Sequence, residues 1–123
     1  GRSDVAVLYN ICAEFAYSLD RRNLADRARS AVFSSIPDAV LVSGTITGEA
    51  AAMSDLEEVK AVLPDIPVLA NTGVKHATVA DVLQVADGCI VGSSLKVDGH
   101  TWNAVDPDRA ADFMRIVRQA RKG

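Results

Sequence analysis

Four short apolar runs recur along the chain, each preceded by an aspartate and followed by small or polar residues. The runs are too short for typical helices and are bounded by turn-forming residues, so they predict strands. Their nearly continuous apolar character is typical of strands buried on both faces of a parallel sheet. The predicted strands lie near residues 5–12, 38–43, 66–70 and 88–92. The aspartates at their starts are Asp4, Asp38, Asp65 and Asp87. We therefore interpret the chain as four repeats of one strand-helix unit.

Amphipathic segments follow the predicted strands. An apolar stripe predicts a first helix over residues 20–35. Residues 54–57 have the pattern of a capping box, which places the start of a second helix there. A third helix is expected after Thr78, and Asp106 followed by Pro107 predicts the N-cap of a fourth. Strict alternation of strands and helices indicates an α/β fold with a parallel sheet and right-handed crossovers.

Two α/β architectures fit this alternation: an open doubly wound sheet, and half of a (β/α)8 barrel, which normally takes about 250 residues. The half-barrel is favoured because the chain begins directly on a strand and polar residues follow every strand. Residues 1–123 would then be four units of a barrel whose first half is missing. The edges of the first and fourth strands are expected to pair with that missing half or with a second copy.

Composition narrows the class of partner. The net charge of -3 gives no electrostatic signature of nucleic-acid binding. No apolar stretch approaches the roughly 20 residues of a membrane span, and no leader is evident, so a cytoplasmic protein is expected. Cys12 and Cys89 lie in apolar runs, which favours buried reduced thiols, and no metal site is predicted.

Candidate chemistry lies in the loops after the strands, because parallel strands bring these loops to one end of the sheet. Asn10 and Glu14 are the candidate catalytic residues, with Glu14 as a general acid or base or, alternatively, a solvated or helix-capping glutamate. Glycines and hydroxyls that suit an anion define the candidate phosphate site: Thr72, Gly73, Val74, Gly92, Ser93 and Ser94. The alternative for these segments is that they are only tight turns. The candidate substrate loop residues are Ser43, Thr47, Lys96 and Asp98. His76 is expected at the surface, and Trp102 is expected to pack the base of its loop.

Residues 86–99, with the sequence ADGCIVGSSLKVDG, and the VDPDR sequence at 105–109 resemble the BtpA family, which includes a photosystem I biogenesis factor and SgcQ-type proteins. The resemblance covers nearly the whole chain and implies the carboxyl-terminal half of a TIM barrel of the ribulose-phosphate-binding kind. Two segments depart from the family pattern. Asn71-Thr72-Gly73 stands where glycine-serine-glycine is frequent, and Ala13-Glu14-Phe15-Ala16 stands where many relatives have a lysine-histidine pair.

Two functions fit the sequence. The first is binding of a small phosphorylated metabolite, a sugar phosphate or a nucleotide, with Glu14 available for acid-base catalysis. The second is a non-catalytic biogenesis or assembly factor that keeps the barrel as a scaffold. The motifs identify neither a reaction nor a cofactor, so the sequence does not decide whether the protein is an enzyme.

Overall fold

The computed structural model describes residues 2–122, in which four parallel strands form one sheet in the order of the sequence. The strands are β1 (Leu8–Asn10), β2 (Ala39–Val42), β3 (Val68–Ala70) and β4 (Gly88–Cys89). All four lie inside the predicted segments but are shorter. The first shrinks most, from 5–12 to 8–10, because β1 is an edge strand whose ladder with β2 runs only from Leu8 to Asn10. Terminal positions 1 and 123 of the predicted domain lie outside the described residues.

Four helices alternate with the strands. They are α1 (Leu24–Ser35), α2 (Met53–Val62), α3 (Val79–Val85) and α4 (Pro107–Ala120). Two single 3-10 turns, Ser93–Leu95 and Val97–Gly99, lie between β4 and α4. The predicted alternation of strands and helices is therefore confirmed.

The helix starts show where local sequence signals succeed and fail. Asp106 caps α4 as predicted, because its carboxylate accepts from the backbone N–H of Asp108 and Arg109 at 2.9 and 3.2 Å. The predicted capping box is wrong, since α2 begins at Met53 with Ala52 as its N-cap and no side-chain cap. Helix α1 begins at Leu24 rather than at position 20, since Asn23 supplies the cap by accepting from the N–H of Asp26 at 2.8 Å.

The core lies between the sheet and the helices. Alternate residues of β2, Val40 and Val42, are fully buried in it together with Leu56 and Val59 of α2. Leu41 and the residue after the strand, Ser43, point to the opposite, inner face of the sheet. On that inner face Leu8 and Ile90 are each 42% exposed. The helices therefore cover only one face of the sheet.

The aspartates at the strand starts have a structural role at the amino end of the sheet. Asp38 accepts a hydrogen bond at 2.6 Å from the N–H of Val7, which enters the neighbouring strand β1. Asp87 has the same role between β3 and β4. Its carboxylate accepts from the N–H of Val68 at 2.8 Å and from Lys60 Nζ at 2.7 Å. These two carboxylates therefore satisfy backbone donors where the β1–β2 and β3–β4 ladders begin.

Replacing Asp87 with asparagine is expected to cost about 1 kcal/mol of stability at pH 7. Burial raises the pKa of the Asp87 carboxyl, but the Lys60 and Val68 donors together outweigh burial and hold that pKa below its ordinary value of 3.8. The carboxylate's stabilisation is thus complete above about pH 4 and is lost as the pH falls through the lowered pKa. Urea unfolding at pH 7 and pH 3 should show the difference between wild type and Asp87→Asn shrinking at pH 3. Asp65→Asn is the control because, within residues 2–122, the Asp65 side chain makes no hydrogen bond. An equal loss in both variants would contradict the assignment.

Candidate functional site

Two neighbouring cavities open at the carboxyl end of the sheet. The smaller one, of about 300 Å3, lies between the loops after β3 and β4, and we call it the β3–β4 cavity. Its lining includes all six candidate phosphate residues, together with Thr47 and Lys96. The larger one, of about 640 Å3, lies between the loops after β1 and β2, and we call it the β1–β2 cavity. Glu14 lines both cavities and therefore stands at their junction.

The loops around the β3–β4 cavity carry free backbone donors. Within residues 2–122, several backbone N–H groups on its lining residues donate no hydrogen bond, and in the loops after β3 and β4 they include those of Gly73, Val74, Gly92, Ser93 and Ser94. Lys75 and Lys96 belong to the same lining and bring two positive charges to this end of the sheet. Convergent backbone N–H groups with nearby cations are the donor set that binds anions in proteins.

The candidate phosphate hydroxyls are bonded within the protein. Thr72 Oγ1 is buried and accepts from the N–H of Gly44 at 2.6 Å. Ser93 Oγ lies 2.7 Å from Thr101 Oγ1, so the two hydroxyls share one hydrogen bond. Ser94 Oγ lies 2.8 Å from Nδ1 of His76. The backbone N–H groups, rather than these hydroxyls, are therefore the main donors available to a ligand.

His76 joins three parts of the structure and is half-buried, so it is more than the surface residue that the sequence predicts. Its Nε2 lies 2.8 Å from the carbonyl oxygen of Arg109, which can only accept, so this nitrogen carries the proton. In the neutral ring, Nδ1 then accepts from the Ser94 hydroxyl. The ring packs edge-on against Phe113 at 5.2 Å between centroids. Arg109 Nε also donates to the Ser94 carbonyl oxygen at 2.9 Å. His76 and Arg109 thus fix the loop after β4 to α4.

A second polar cluster lies on the inner face, where β1, β2 and β3 end. Asn10 Nδ2 and Asn71 Nδ2 donate to Ser43 Oγ at 3.0 and 2.8 Å. Asn10 Oδ1 accepts from the N–H of Cys12 at 3.2 Å. The structure therefore brings Asn10 and Ser43 together, with the Asn10 side chain engaged at both of its polar atoms. The catalytic role of Asn10 stays a prediction.

The β1–β2 cavity contains charged groups whose polar atoms lack partners. Within residues 2–122, Glu14 Oε2 and Arg27 Nε are each buried without a hydrogen-bond partner. Arg27 Nη1 donates weakly to the Ile11 carbonyl oxygen at 3.4 Å. Asp55, in the first turn of α2, belongs to the same lining. Sequence reasoning missed Arg27 and Asp55, because both lie on helices that the pattern assigned to packing.

Cys12 lies among these charges. Burial raises the pKa of its thiol, while the Ser43 N–H and the Arg27 guanidinium partly offset burial, and Asp55 and Glu14 act in the raising direction. The Ser43 N–H donates to Cys12 Sγ at 3.2 Å. The thiol is therefore protonated at neutral pH and sits on the wall of the β1–β2 cavity.

Asp98 and Trp102 do not lie where the sequence predicts them. Asp98 is exposed in the second 3-10 turn, has φ 56°, and lines neither cavity. Its place in the substrate loop therefore receives no support from the geometry. Trp102 is 89% exposed, so the prediction that it packs the base of its loop is wrong.

The parallel strand-helix units, with polar loops gathered at one end, define an α/β protein of the TIM-barrel type that forms about half of the eight-unit barrel. A solved structure described as "Native KDPGal structure" superimposes with a TM-score of 0.66 at 22% identity, covering 98% of this chain and 52% of that chain. N-(5'-phosphoribosyl)anthranilate isomerase from Pyrococcus furiosus superimposes with a TM-score of 0.57 at 20% identity, covering 91% and 49%. At these identities the two structures show the fold alone.

The chain belongs to the BtpA family, whose family model matches residues 2–119. It is 40% identical to the sgc region protein SgcQ of Escherichia coli K12, over 99% of this chain and 46% of that protein. It is 30% identical to the photosystem I biogenesis protein BtpA of Synechocystis, over 98% of this chain and 42% of that protein. The resemblance carried by residues 86–99 is thus confirmed. The chain spans about half the length of these relatives. In the part of the chain that the structure describes, no helix has the length and hydropathy to cross a bilayer.

Proposed function

We propose that this chain binds the phosphate group of a small phosphorylated metabolite in the β3–β4 cavity. The observation that carries the proposal is the set of five unbonded backbone N–H groups, contributed by residues 73–74 and 92–94, on the lining of one cavity. Two loops that follow adjacent strands supply them, so a single phosphate would bridge both loops.

The charge balance of the β3–β4 cavity supports an anionic ligand. Lys75 and Lys96 contribute two positive charges to its lining, and Glu14 is the one carboxylate there among residues 2–122. Backbone donors in a cavity favour a phosphate because they need no side-chain ordering when the ligand arrives. The loop after β4 is also held in place by the His76 and Arg109 contacts, which limits the entropy lost on binding.

Glu14 is the residue that we propose for acid-base chemistry on the bound metabolite. Its place at the junction of the two cavities puts the carboxylate beside both the phosphate site and the space for the rest of the ligand. Within residues 2–122 its Oε2 is buried without a hydrogen-bond partner, so a rotation of the side chain would present this oxygen to a ligand hydroxyl or an acidic C–H without breaking a protein contact.

We also propose that further strand-helix units complete the barrel around this site. Within residues 2–122, no helix covers the inner face of the sheet, and apolar side chains at the β1 edge of the sheet are exposed, among them Val7 at 46% and Leu8 at 42%. The free edge of β1 offers unpaired backbone groups to a neighbouring strand. The missing half of the barrel fits this position, as would a second copy of the chain.

A second candidate function is that of a non-catalytic biogenesis or assembly factor. The Synechocystis relative is named a photosystem I biogenesis protein. In this chain, Phe15, Tyr17 and Leu19 in the loop after β1 are 82, 92 and 92% exposed. Clustered exposed apolar side chains mark protein interaction sites, so this loop is the part of the chain that would meet a protein partner.

Equilibrium titration of the full-length protein distinguishes the two functions. We expect inorganic phosphate to bind weakly and ribose 5-phosphate to bind more tightly, while ribose without the phosphate group does not bind measurably. Isothermal titration calorimetry at low ionic strength measures all three, since screening weakens anion binding. If no phosphorylated compound gives a heat of binding, metabolite binding is overturned and the assembly factor is left as the supported function.

A further inference from the structure

We infer that the β1–β2 cavity is the subsite for the non-phosphate part of the same ligand, and that this part is an uncharged polyhydroxylated chain or ring. The inference rests on the proposed phosphate site in the neighbouring cavity and names the chemistry of the remainder. Its basis is that Glu14 and Arg27 both line this cavity and that each holds a buried polar atom without a partner, Glu14 Oε2 as an acceptor and Arg27 Nε as a donor.

The position of Glu14 makes the two cavities parts of one site. Its side chain lines both, so a ligand that holds its phosphate in the β3–β4 cavity extends past Glu14 into the β1–β2 cavity. The volume of about 640 Å3 is sufficient for a five- or six-carbon sugar with bound water.

The hydrogen-bonding character of the β1–β2 cavity specifies hydroxyl groups. A buried carboxylate oxygen without a donor, and a buried guanidinium N–H without an acceptor, are each costly unless a ligand supplies the partner. A sugar hydroxyl both donates and accepts, so one type of group satisfies Glu14 and Arg27 together.

The charges of the cavity argue against a second anionic group. Glu14 and Asp55 contribute two carboxylates and Arg27 one guanidinium, so these three groups together are net negative. All three line the same cavity as Cys12. Arg27 also borders a third cavity, of about 240 Å3, where Asp20 is paired with Arg22. A ligand carboxylate would therefore meet carboxylates nearby, whereas neutral hydroxyls meet complementary groups.

The geometry also favours a polyol over a nucleoside. A purine or pyrimidine is normally held by stacking on an aromatic ring. The one aromatic residue lining the described part of the β1–β2 cavity is Tyr17, which is 92% exposed and so forms no closed stacking surface.

Substitution of Arg27 separates the two subsites. In the full-length protein, Arg27→Gln is expected to weaken ribose 5-phosphate binding about tenfold and to change inorganic phosphate affinity less than twofold. Arg29→Gln is the matched control, because Arg29 lies on the same helix but is exposed and paired with Asp26. Unchanged phosphate affinity also shows that the variant is folded. Equal weakening of both ligands by Arg27→Gln, or no weakening of either, would overturn the inference.

Alkylation of Cys12 reports occupancy of the β1–β2 cavity directly. Ribose 5-phosphate is expected to slow the reaction of Cys12 with iodoacetamide at least fivefold, while inorganic phosphate leaves the rate unchanged. Cys89 is the internal control because it packs against the core away from both cavities. Peptide mass spectrometry measures both rates in one sample. Protection of Cys12 by phosphate as strongly as by ribose 5-phosphate would contradict separate subsites.

Two further ligands test the uncharged polyol. The acid 6-phosphogluconate is expected to bind more weakly than ribose 5-phosphate. AMP is expected to bind no more tightly than ribose 5-phosphate. Tighter binding of either compound would replace the polyol assignment with a sugar acid or a nucleotide. If inorganic phosphate and all phosphorylated compounds fail to bind, the proposed function is wrong and this inference falls with it. If phosphate binds and the sugar adds nothing, only this inference is overturned.

Discussion

Replacing Gly73 with alanine is expected to lower the free energy of unfolding of the full-length protein by at least about 3 kcal/mol. Gly73 has φ +65°, a conformation in which an L side chain is strained. A Cβ at this position would also lie 2.2 Å from the backbone nitrogen of Ala50 and 2.3 Å from the Glu49 carbonyl carbon. Because the obstacle is backbone rather than a flexible side chain, the loop after β2 would have to move.

The loops after β2 and β3 depend on each other at this contact. Gly44 meets the same segment from the other side, where an added Cβ would lie 2.3 Å from the Glu49 carbonyl oxygen. The Gly44 N–H also donates to Thr72 Oγ1 at 2.6 Å, which ties the two loops together directly. A side chain at Gly73 would therefore disturb both walls of the candidate site as well as the stability of the fold.

Urea unfolding monitored by circular dichroism measures the Gly73→Ala effect. Gly92→Ala is the matched control, because Gly92 has no atom within 4 Å of an added Cβ and its φ is -120°. That variant is expected to change stability by less than about 1 kcal/mol. If Gly73→Ala were as stable as Gly92→Ala, the close approach of the loops after β2 and β3 would not exist in solution.

The architecture could be predicted from the sequence because its signals are local and repeated. Four apolar runs, each opening after an aspartate, were enough to predict parallel strands alternating with helices, and the structure confirms this order. The length of β1 was overestimated because apolar residues at 5 and 7 suggest a strand, whereas pairing with β2 alone ends the ladder at Leu8. Helix starts failed where a competing contact intervened, as at Asp20, whose carboxylate accepts from the N–H of Arg22 at 2.9 Å instead of capping α1.

The candidate site could be predicted in outline but not in its bonding. Parallel topology alone brings the loops after β3 and β4 together, so Gly73 and Gly92 could be placed on one cavity from their positions in the chain. The engagement of the Ser94 hydroxyl could not be predicted, because its partner His76 is 18 residues away and is itself held by Arg109, 33 residues from His76. Such contacts depend on how α4 packs, and no local sequence pattern encodes that.

Gly92→Asp is expected to weaken inorganic phosphate binding about a hundredfold. The new carboxylate would stand beside the unbonded N–H groups of Ser93 and Ser94, so it would repel the phosphate and compete for the same donors. The open space around Gly92 means that the fold accommodates the side chain. Gly92→Asn has nearly the same shape without the charge and is expected to lose no more than a few-fold in affinity.

Ionic strength provides a second readout of the same substitution. The difference between Gly92→Asp and Gly92→Asn arises from charge, so it should shrink as salt is raised from about 0.02 to 0.5 M, where screening acts within a few ångströms. Calorimetric titration of phosphate into both variants at the two salt concentrations measures this. Affinity in Gly92→Asp equal to that of the wild-type protein would mean that phosphate does not bind at the loop after β4. Equal losses in both variants at all salt concentrations would show that the shape of that loop, and not its charge, governs binding. Because the two glycines face the cavity from adjacent loops, the Gly92 pair tests the ligand site without disturbing the contact that makes Gly73 essential to the fold.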